Sequence, residues 1–166
     1  MTNLQTTPLH FIALTPEETR HHYPQYFRED ITCFLIVKGK PRGFQSVQNS
    51  SSHFQESQKT ETIPVGLYGL IDRGVDSRTG ESLGEGFLTI FPAFRYRVLS
   101  KCFFAALFDH ALSCGFAKVY TWTRLKSWQK LFQRFESLGI QCLDMPPPWN
   151  RDGSKLWFVK QHRKDG

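Results

Sequence analysis

The stretch "IFPAFRYRVLSK", residues 90–101, joins an apolar strand to a helix. Pro92 interrupts the strand, and Arg95, Arg97 and Ser100 follow before the pattern becomes helical. The first N–H groups of a helix lack intrahelical partners, so a helix that begins beside positive charge is suited to binding an anion. Turns that bind phosphate usually carry glycines, which let the ligand approach the backbone, and this stretch has none. The stretch therefore predicts an anion site of unusual composition.

The size and composition of the chain indicate one globular domain over residues 1–166. Hydrophobic residues make up 40% of the chain and aromatic residues 14%, which is enough for a sizeable core. The sequence shows no secretory signal, and its longest apolar run, residues 102–108, is too short to cross a bilayer. The four cysteines form no CxxC pair. We therefore expect reduced thiols in a cytoplasmic protein, with neither disulfides nor a metal site.

Positive charge is concentrated in one part of the chain. The formal net charge is +6, and residues 95–134 hold eight basic residues against one acid, Asp109. Such a region predicts a phosphate-rich partner, either a cofactor or nucleic acid. The alternative is a solvated helix face that binds nothing.

The pattern of apolar residues and turn signals predicts an α+β fold. The order is β–α–β–β–β–α–β–α–β–β, which indicates a mixed, mostly antiparallel sheet flanked by helices. Thr15 and Glu18 form a capping-box pattern at the start of the first helix, which should break near Pro24. A polar segment at about 45–62 is expected to be a flexible loop. The predicted strands span 9–14, 31–43, 63–73, 83–94, 117–123, 140–145 and 155–161, and the later helices span 98–113 and 127–138.

Two motifs make the chain resemble the GNAT superfamily of acyl-CoA-dependent N-acyltransferases. In that family a strand, a proline and two residues precede R/Q-x-x-G-x-G/A and a helix. Pro92 and residues 95–100 fall on these positions, although the glycines are replaced. Downstream, "RFESLGI" is similar to the family's Tyr-x-x-x-Gly pattern, with Phe135 in place of the tyrosine and Gly139 in place of the glycine. The resemblance covers residues 63–143 by motif.

The resemblance implies that acetyl-CoA is the acyl donor and that its pyrophosphate lies at the strand–helix junction. The N–H groups of Val98 and Ser100 would be donors. Because Val98 is poorly suited to positive φ, the turn would stand farther from the ligand, and nearby positive charge would compensate. Strand residues 87–91 would line the pantetheine arm. The cofactor-binding candidates are Phe91, Arg95, Tyr96, Arg97, Val98, Leu99, Ser100 and Lys101.

Glu85 is the candidate general base. It lies ten residues before Arg95, where the resemblance implies a glutamate that accepts the amine proton through water. Strand alternation places it with Phe87 and Thr89, and such apolar surroundings would favour proton uptake. The alternative is an ordinary exposed carboxylate near a strand end. Tyr120 is the candidate acid, because the usual tyrosine position holds Phe135; a core role for Tyr120 is the alternative.

The acceptor implied by the resemblance is a small-molecule or peptide amine. The first helix and the "PPPWN" loop, residues 146–150, would shape its pocket, and a homodimer is possible in this family. The competing function is a non-catalytic GNAT-like module that binds nucleic acid. It would use the basic region 95–134, with Tyr96, Trp122 and Trp128 as stacking surfaces.

Overall fold

The computed structural model describes residues 8–39, 62–95, 98–123, 125–143 and 155–160. Within these ranges the strands are β1 (Leu9–Ala13), β2 (Ile31–Lys38), β3 (Ile63–Val75), β4 (Ser82–Ile90), β5 (Lys118–Thr123), β6 (Gln141–Leu143) and β7 (Lys155–Lys160). The helices are α1 (Pro16–His22), α2 (Lys101–Ser113) and α3 (Lys126–Arg134). Short 3₁₀ turns lie after α1 at 24–26, after β4 at 92–94 and after α3 at 136–138. Several predicted features lie outside the described residues. They are the expected flexible loop at 45–62, apart from residue 62 itself, the loop at 146–150, and the two residues Tyr96 and Arg97.

The strands form one sheet in the order β1-β2-β3-β4-β5-β7-β6. Only the β4–β5 contact is parallel, and every other neighbouring pair is antiparallel. The predicted α+β class, element order and mixed, mostly antiparallel sheet are confirmed. The parallel contact joins the strand that carries Glu85 to the strand that carries Tyr120.

The start of α1 follows the predicted capping box. Thr15 Oγ1 accepts a hydrogen bond from the Glu18 N–H at 3.1 Å, and Glu18 Oε2 accepts one from the Thr15 N–H at 2.8 Å. These contacts pair donors that the helix itself leaves unpaired. The helix ends at His22, two residues before Pro24, as its sequence predicts.

The later helices are shorter than their apolar patterns suggest. The α2 helix begins three residues after the predicted start, because Ser100 is its N-cap and accepts a hydrogen bond from the Phe103 N–H at 3.2 Å. The α3 helix ends at Arg134, and a 3₁₀ turn continues the chain to Gly139, whose φ of 89° is left-handed. No helix in the described ranges has the length and apolar character needed to cross a membrane.

The main core lies between the sheet and the helices α2 and α3. Phe104 is 1% exposed and stands at its centre. Its ring centroid lies 5.1–6.3 Å from those of five other aromatic residues: Phe103, Phe108, Trp128, Phe132 and Phe135. Aromatic pairs at such distances add stabilisation beyond their buried area. This core holds α2 and α3 against β4 and β5.

The opposite face of β4 is covered by the segment that follows α1. Tyr26 stacks on Phe87 with ring centroids 6.5 Å apart, and Tyr23 stacks on Phe91 at 6.0 Å. Phe87 lies directly over Gly69 of β3, where an added Cβ would stand 2.1 Å from the Phe87 ring. The glycine therefore makes room for an aromatic layer beside Glu85, which shares this face of β4.

Candidate active site

The strands β4 and β5 separate in the middle of the sheet. They pair only through Leu83–Glu85 of β4 and Lys118–Tyr120 of β5, and no further pair between them occurs in the described chain. Both strands nevertheless continue, to Ile90 and to Thr123. A strand edge without a neighbour presents backbone N–H and C=O groups that can bind a ligand. A gap thus opens directly after Glu85.

A cavity of about 510 Å³ occupies this gap. Its lining comes from both faces of the sheet: Glu85, Phe87 and Trp122 lie on the α1 face, and Leu88 and Val119 lie on the α2 face. Helix residues complete the second side, namely Phe104, Leu107, Phe108, Ala111, Trp128 and Phe132. A cavity of this volume and apolar character is typical of a small-molecule site.

Glu85 lies at the closed end of the gap, and polar partners hold it there. It is 8% exposed. Its Oε1 accepts a hydrogen bond from Trp122 Nε1 at 2.7 Å, and its Oε2 forms an ion pair with the Arg73 guanidinium. Phe87 shares its face as expected, but the carboxylate itself meets polar partners that the sequence did not predict, and the alternative of an exposed carboxylate is wrong. A carboxylate can accept about four hydrogen bonds, so Oε1 retains acceptor capacity toward the cavity.

The comparisons with known proteins bear on the fold. No protein-family model and no curated protein matches the chain. Among solved structures, a domain from Methanocaldococcus jannaschii is 12% identical, with 93% of this chain and 99% of that chain covered and a TM-score of 0.56. Dodecameric spermidine N-acetyltransferase from Vibrio cholerae is 12% identical, with coverage of 92% and 94% and a TM-score of 0.52. GCN5 from Tetrahymena is 14% identical, with coverage of 92% and 96% and a TM-score of 0.50.

This chain has the GNAT fold. The predicted resemblance is confirmed at the level of the fold, and identities this low show nothing finer.

Tyr120 faces the gap of this GNAT fold from β5. It lies opposite Glu85 in the parallel register and is 7% exposed. Burial raises the pKa of its phenol, and the positive charge of Lys118 opposes that effect in part. The phenol therefore stays protonated through neutral pH, in the form that a general acid needs. Phe135 instead packs in the core, 5.1 Å from the Phe104 ring.

The junction between β4 and α2 differs from the predicted phosphate turn. Val98 is 3% exposed and packs into the core. The Ser100 N–H donates to the Val98 carbonyl at 2.7 Å, so the expectation that this N–H is free for phosphate is wrong. Arg95 and Lys101 are both exposed here. The exposed charges of Arg95 and Lys101 and the N–H groups of the first turn of α2 that Ser100 does not cap are the remaining candidates for binding an anion.

The remaining two junction candidates serve the fold. Phe91 stacks on Tyr23 of the segment after α1, and Leu99 packs against the main core. Each side chain therefore positions the junction, and the Phe91 N–H is already bonded to the Val65 carbonyl at 2.9 Å.

Sequence reasoning did not predict that Arg73 and Trp122 are the partners of Glu85; it had considered Trp122 only as a stacking surface. Trp122 lies two residues after Tyr120 and therefore shares its face of β5, which was a usable signal. Arg73 gave no such signal, because the β3–β4 register shifts between Asp72 and Val75. Only the structure shows that this irregular end of β3 brings the guanidinium to Glu85.

Metal and disulfide chemistry find no support in the described chain. No group of three His, Cys, Asp or Glu side chains there could hold an ion, and the four cysteines, which all lie in the described ranges, form no disulfide.

Proposed function

We propose that this protein is an N-acetyltransferase that transfers an acetyl group from acetyl-CoA to an amine. The observation that carries the proposal is the gap between β4 and β5, with a buried carboxylate at its closed end and a cavity of about 510 Å³ inside it. An acyl thioester held along β4 would bring its carbonyl carbon to this end. The GNAT-fold enzymes with similar structures include acetyltransferases, which supports the reaction class.

The donor would bind along β4 and at the start of α2. The pantetheine arm carries amides, which can pair with backbone groups of residues 87–90 on the edge that faces the gap. The pyrophosphate would meet the side chains of Arg95, Arg97 and Lys101 and the hydroxyl of Ser100. Charge-assisted contacts of this kind are about twice as strong as neutral ones, which offsets the absence of glycines.

The reaction needs one proton acceptor and one leaving group. The nitrogen lone pair of the neutral amine attacks the thioester carbon, so that a C–N bond forms and the C–S bond breaks. Glu85 accepts the proton that the nitrogen loses, through a water molecule, and passes it to solvent. Tyr120 donates a proton to the departing thiolate and is reprotonated by solvent, which balances the transfer.

The acceptor would enter from the side of α1. Gln25, Tyr26 and Arg28 line the cavity there. Among the Lys, Arg, Asp and Glu side chains, the described lining contains only Arg28 and Glu85. Arg28 forms an ion pair with Asp30, and Glu85 forms one with Arg73. A polycationic acceptor would find no unpaired carboxylate in this lining. The site thus favours an amine, of a small molecule or a peptide, that carries an apolar or aromatic body.

The nucleic-acid function is not favoured. Trp128 packs in the core against Phe104 and Phe132, and the Trp122 indole donates to Glu85. Trp128 is therefore not a free stacking platform of the kind that single-stranded nucleic acid needs, and Trp122, although 46% exposed, is tied at its Nε1 to Glu85. The exposed positive charges on α3 are consistent with an ordinary solvated helix face.

Coenzyme A is expected to stabilise the folded protein. At a concentration of 100-fold over Kd, a ligand adds about 2.7 kcal/mol to the free energy of unfolding, which corresponds to roughly 5–11 °C in Tm for a chain of this length. Thermal denaturation with and without CoA measures the shift. Absence of any shift at millimolar CoA would reject the proposed donor.

Two matched double variants test whether the pyrophosphate of CoA binds at the junction between β4 and α2. Arg95→Ala with Arg97→Ala should reduce the CoA-induced shift strongly, because each lost charge-assisted contact is worth about 1.5–3 kcal/mol. Arg78→Ala with Lys160→Ala removes the same charge from exposed residues at the opposite end of β4 and β5 and should leave the shift unchanged. Equal shifts in both variants would mean that the phosphates bind elsewhere.

A further inference from the structure

Trp122 is the most exposed aromatic residue in the described lining of the cavity. It is 46% exposed, so a ligand can reach its ring. Its Nε1–H donates to Glu85 Oε1 at 2.7 Å. One edge of the indole is therefore fixed against the candidate base, while the rest of the ring stays accessible. A large aromatic surface held in this way beside a reacting group is suited to binding part of a substrate.

Further aromatic side chains lie on the same side of the sheet as Trp122. Phe87 follows Glu85 by two residues on β4 and therefore shares its face. Tyr26 stacks on Phe87, and both rings are partly exposed and line the cavity. Trp122 reaches Glu85 from β5, on the other side of the gap. The carboxylate thus has an aromatic side chain on each of the two strands that bound the gap.

We propose that the acceptor is a monoamine whose nitrogen is joined by a short spacer to a flat aromatic ring, and that Trp122 determines this specificity. The ring of the acceptor stacks on the exposed indole, and its nitrogen lies at Glu85. The spacer is short because the indole that binds the ring also donates to the Glu85 carboxylate. Trp122 thus recognises the acceptor and also positions the base. The inference rests on the proposed function, since it assigns the acceptor class of the same site.

An aromatic ring can be distinguished from an apolar body of equal size. Stacked aromatic pairs gain stabilisation beyond their buried area, which is equivalent to about two- to twelvefold in affinity. Phenethylamine and cyclohexylethylamine have the same number of carbon atoms and one amino group each, but only phenethylamine has a flat aromatic ring. One exposed indole suffices for such a ligand, whereas a nucleic-acid strand needs a succession of stacking surfaces.

Isothermal titration calorimetry of the full chain with phenethylamine, cyclohexylethylamine and diaminobutane tests the acceptor class. Each amine is titrated with and without saturating CoA, which carries no acyl group and therefore cannot be turned over. The Kd of phenethylamine should be about two- to twelvefold below that of cyclohexylethylamine. Diaminobutane should bind most weakly, because its second ammonium group meets no unpaired carboxylate in the described lining.

Equal Kd values for the two monoamines, or no binding of phenethylamine, would overturn the inference and leave the proposed function intact. Failure of CoA to bind would instead reject the proposed function. The titrations without CoA would then still decide whether this site prefers an aromatic ring.

Two variants separate the two roles of Trp122. Trp122→Phe keeps a flat ring but removes the N–H, so the preference for phenethylamine should persist. Its kcat with acetyl-CoA and phenethylamine should fall about tenfold or more, because Glu85 loses the contact that holds Oε1. Trp122→Leu removes the ring as well, so the two monoamines should bind with equal Kd. Ile63→Ala, at a residue that is also 46% exposed but lies outside the lining, is the matched control and should change neither quantity.

A purely structural Trp122 would leave the ratio of the two Kd values unchanged in Trp122→Leu, and that result would overturn the proposed specificity. An unchanged kcat in Trp122→Phe would overturn the positioning of Glu85 by the indole. Should either variant fail to fold, the titrations with the unaltered protein still decide the acceptor class.

Discussion

Glu85→Gln is expected to lower kcat by about 10²–10⁴-fold, with CoA affinity changed little. The amide preserves the size of the side chain and can still accept the Trp122 indole hydrogen bond, but it cannot take up a proton. The loss should shrink at high pH, where more of the acceptor amine is already neutral. Steady-state kinetics over a range of pH, with an amine found by screening acceptors, measures both effects.

Glu81→Gln is the matched control for this substitution. Glu81 also carries an ion-paired carboxylate, 2.6 Å from Lys118 Nζ, but it lies just before β4 and outside the cavity lining. Its loss should leave kcat unchanged. If the Glu85→Gln variant had the same kcat as the unaltered protein, Glu85 would be only a structural partner of Arg73. The general base would then have to be another group.

Phe104→Ala is expected to lower the free energy of unfolding by about 3–5 kcal/mol, or roughly 6–20 °C in Tm. Phe104 is 1% exposed and contacts rings on both α2 and α3, so its removal leaves a cavity that several rigid neighbours cannot fill together. Urea denaturation provides the measurement. The exposed Val75→Ala, at a residue 63% exposed, should change stability by no more than about 0.5 kcal/mol.

A loss below about 1 kcal/mol in Phe104→Ala would contradict the packing described between α2, α3 and the sheet. The same variant widens the cavity, since Phe104 also lines it. Stability and donor affinity should therefore be measured on the same preparation.

Local patterns in the sequence predicted the order of the elements. The capping box at Thr15 and the alternation around Glu85 each depend on a few neighbouring residues. These signals act within a helix turn or a strand, and the structure confirms them. The mixed, mostly antiparallel sheet agrees with the family resemblance.

Contacts between distant parts of the chain could not be predicted in this way. The pairing of Arg73 with Glu85 depends on an irregular register between β3 and β4. The start of α2 was placed too early, because the apolar pattern continues through Val98, which is buried without being helical. The depth of the cavity depends on how α2 and α3 pack over the gap, and periodicity carries no information about that packing.

Hydrogen exchange of the full chain, with and without CoA, tests the central claim that the gap between β4 and β5 binds the donor. Backbone N–H groups of β4 that face the gap should exchange more slowly when CoA pairs with them, as should those in the first turn of α2. Peptides that cover residues 86–90 and 98–103 should therefore show protection, and peptides from β1 and β2 should show none. Protection confined to α3, or saturating CoA without protection at residues 86–90, would contradict the account.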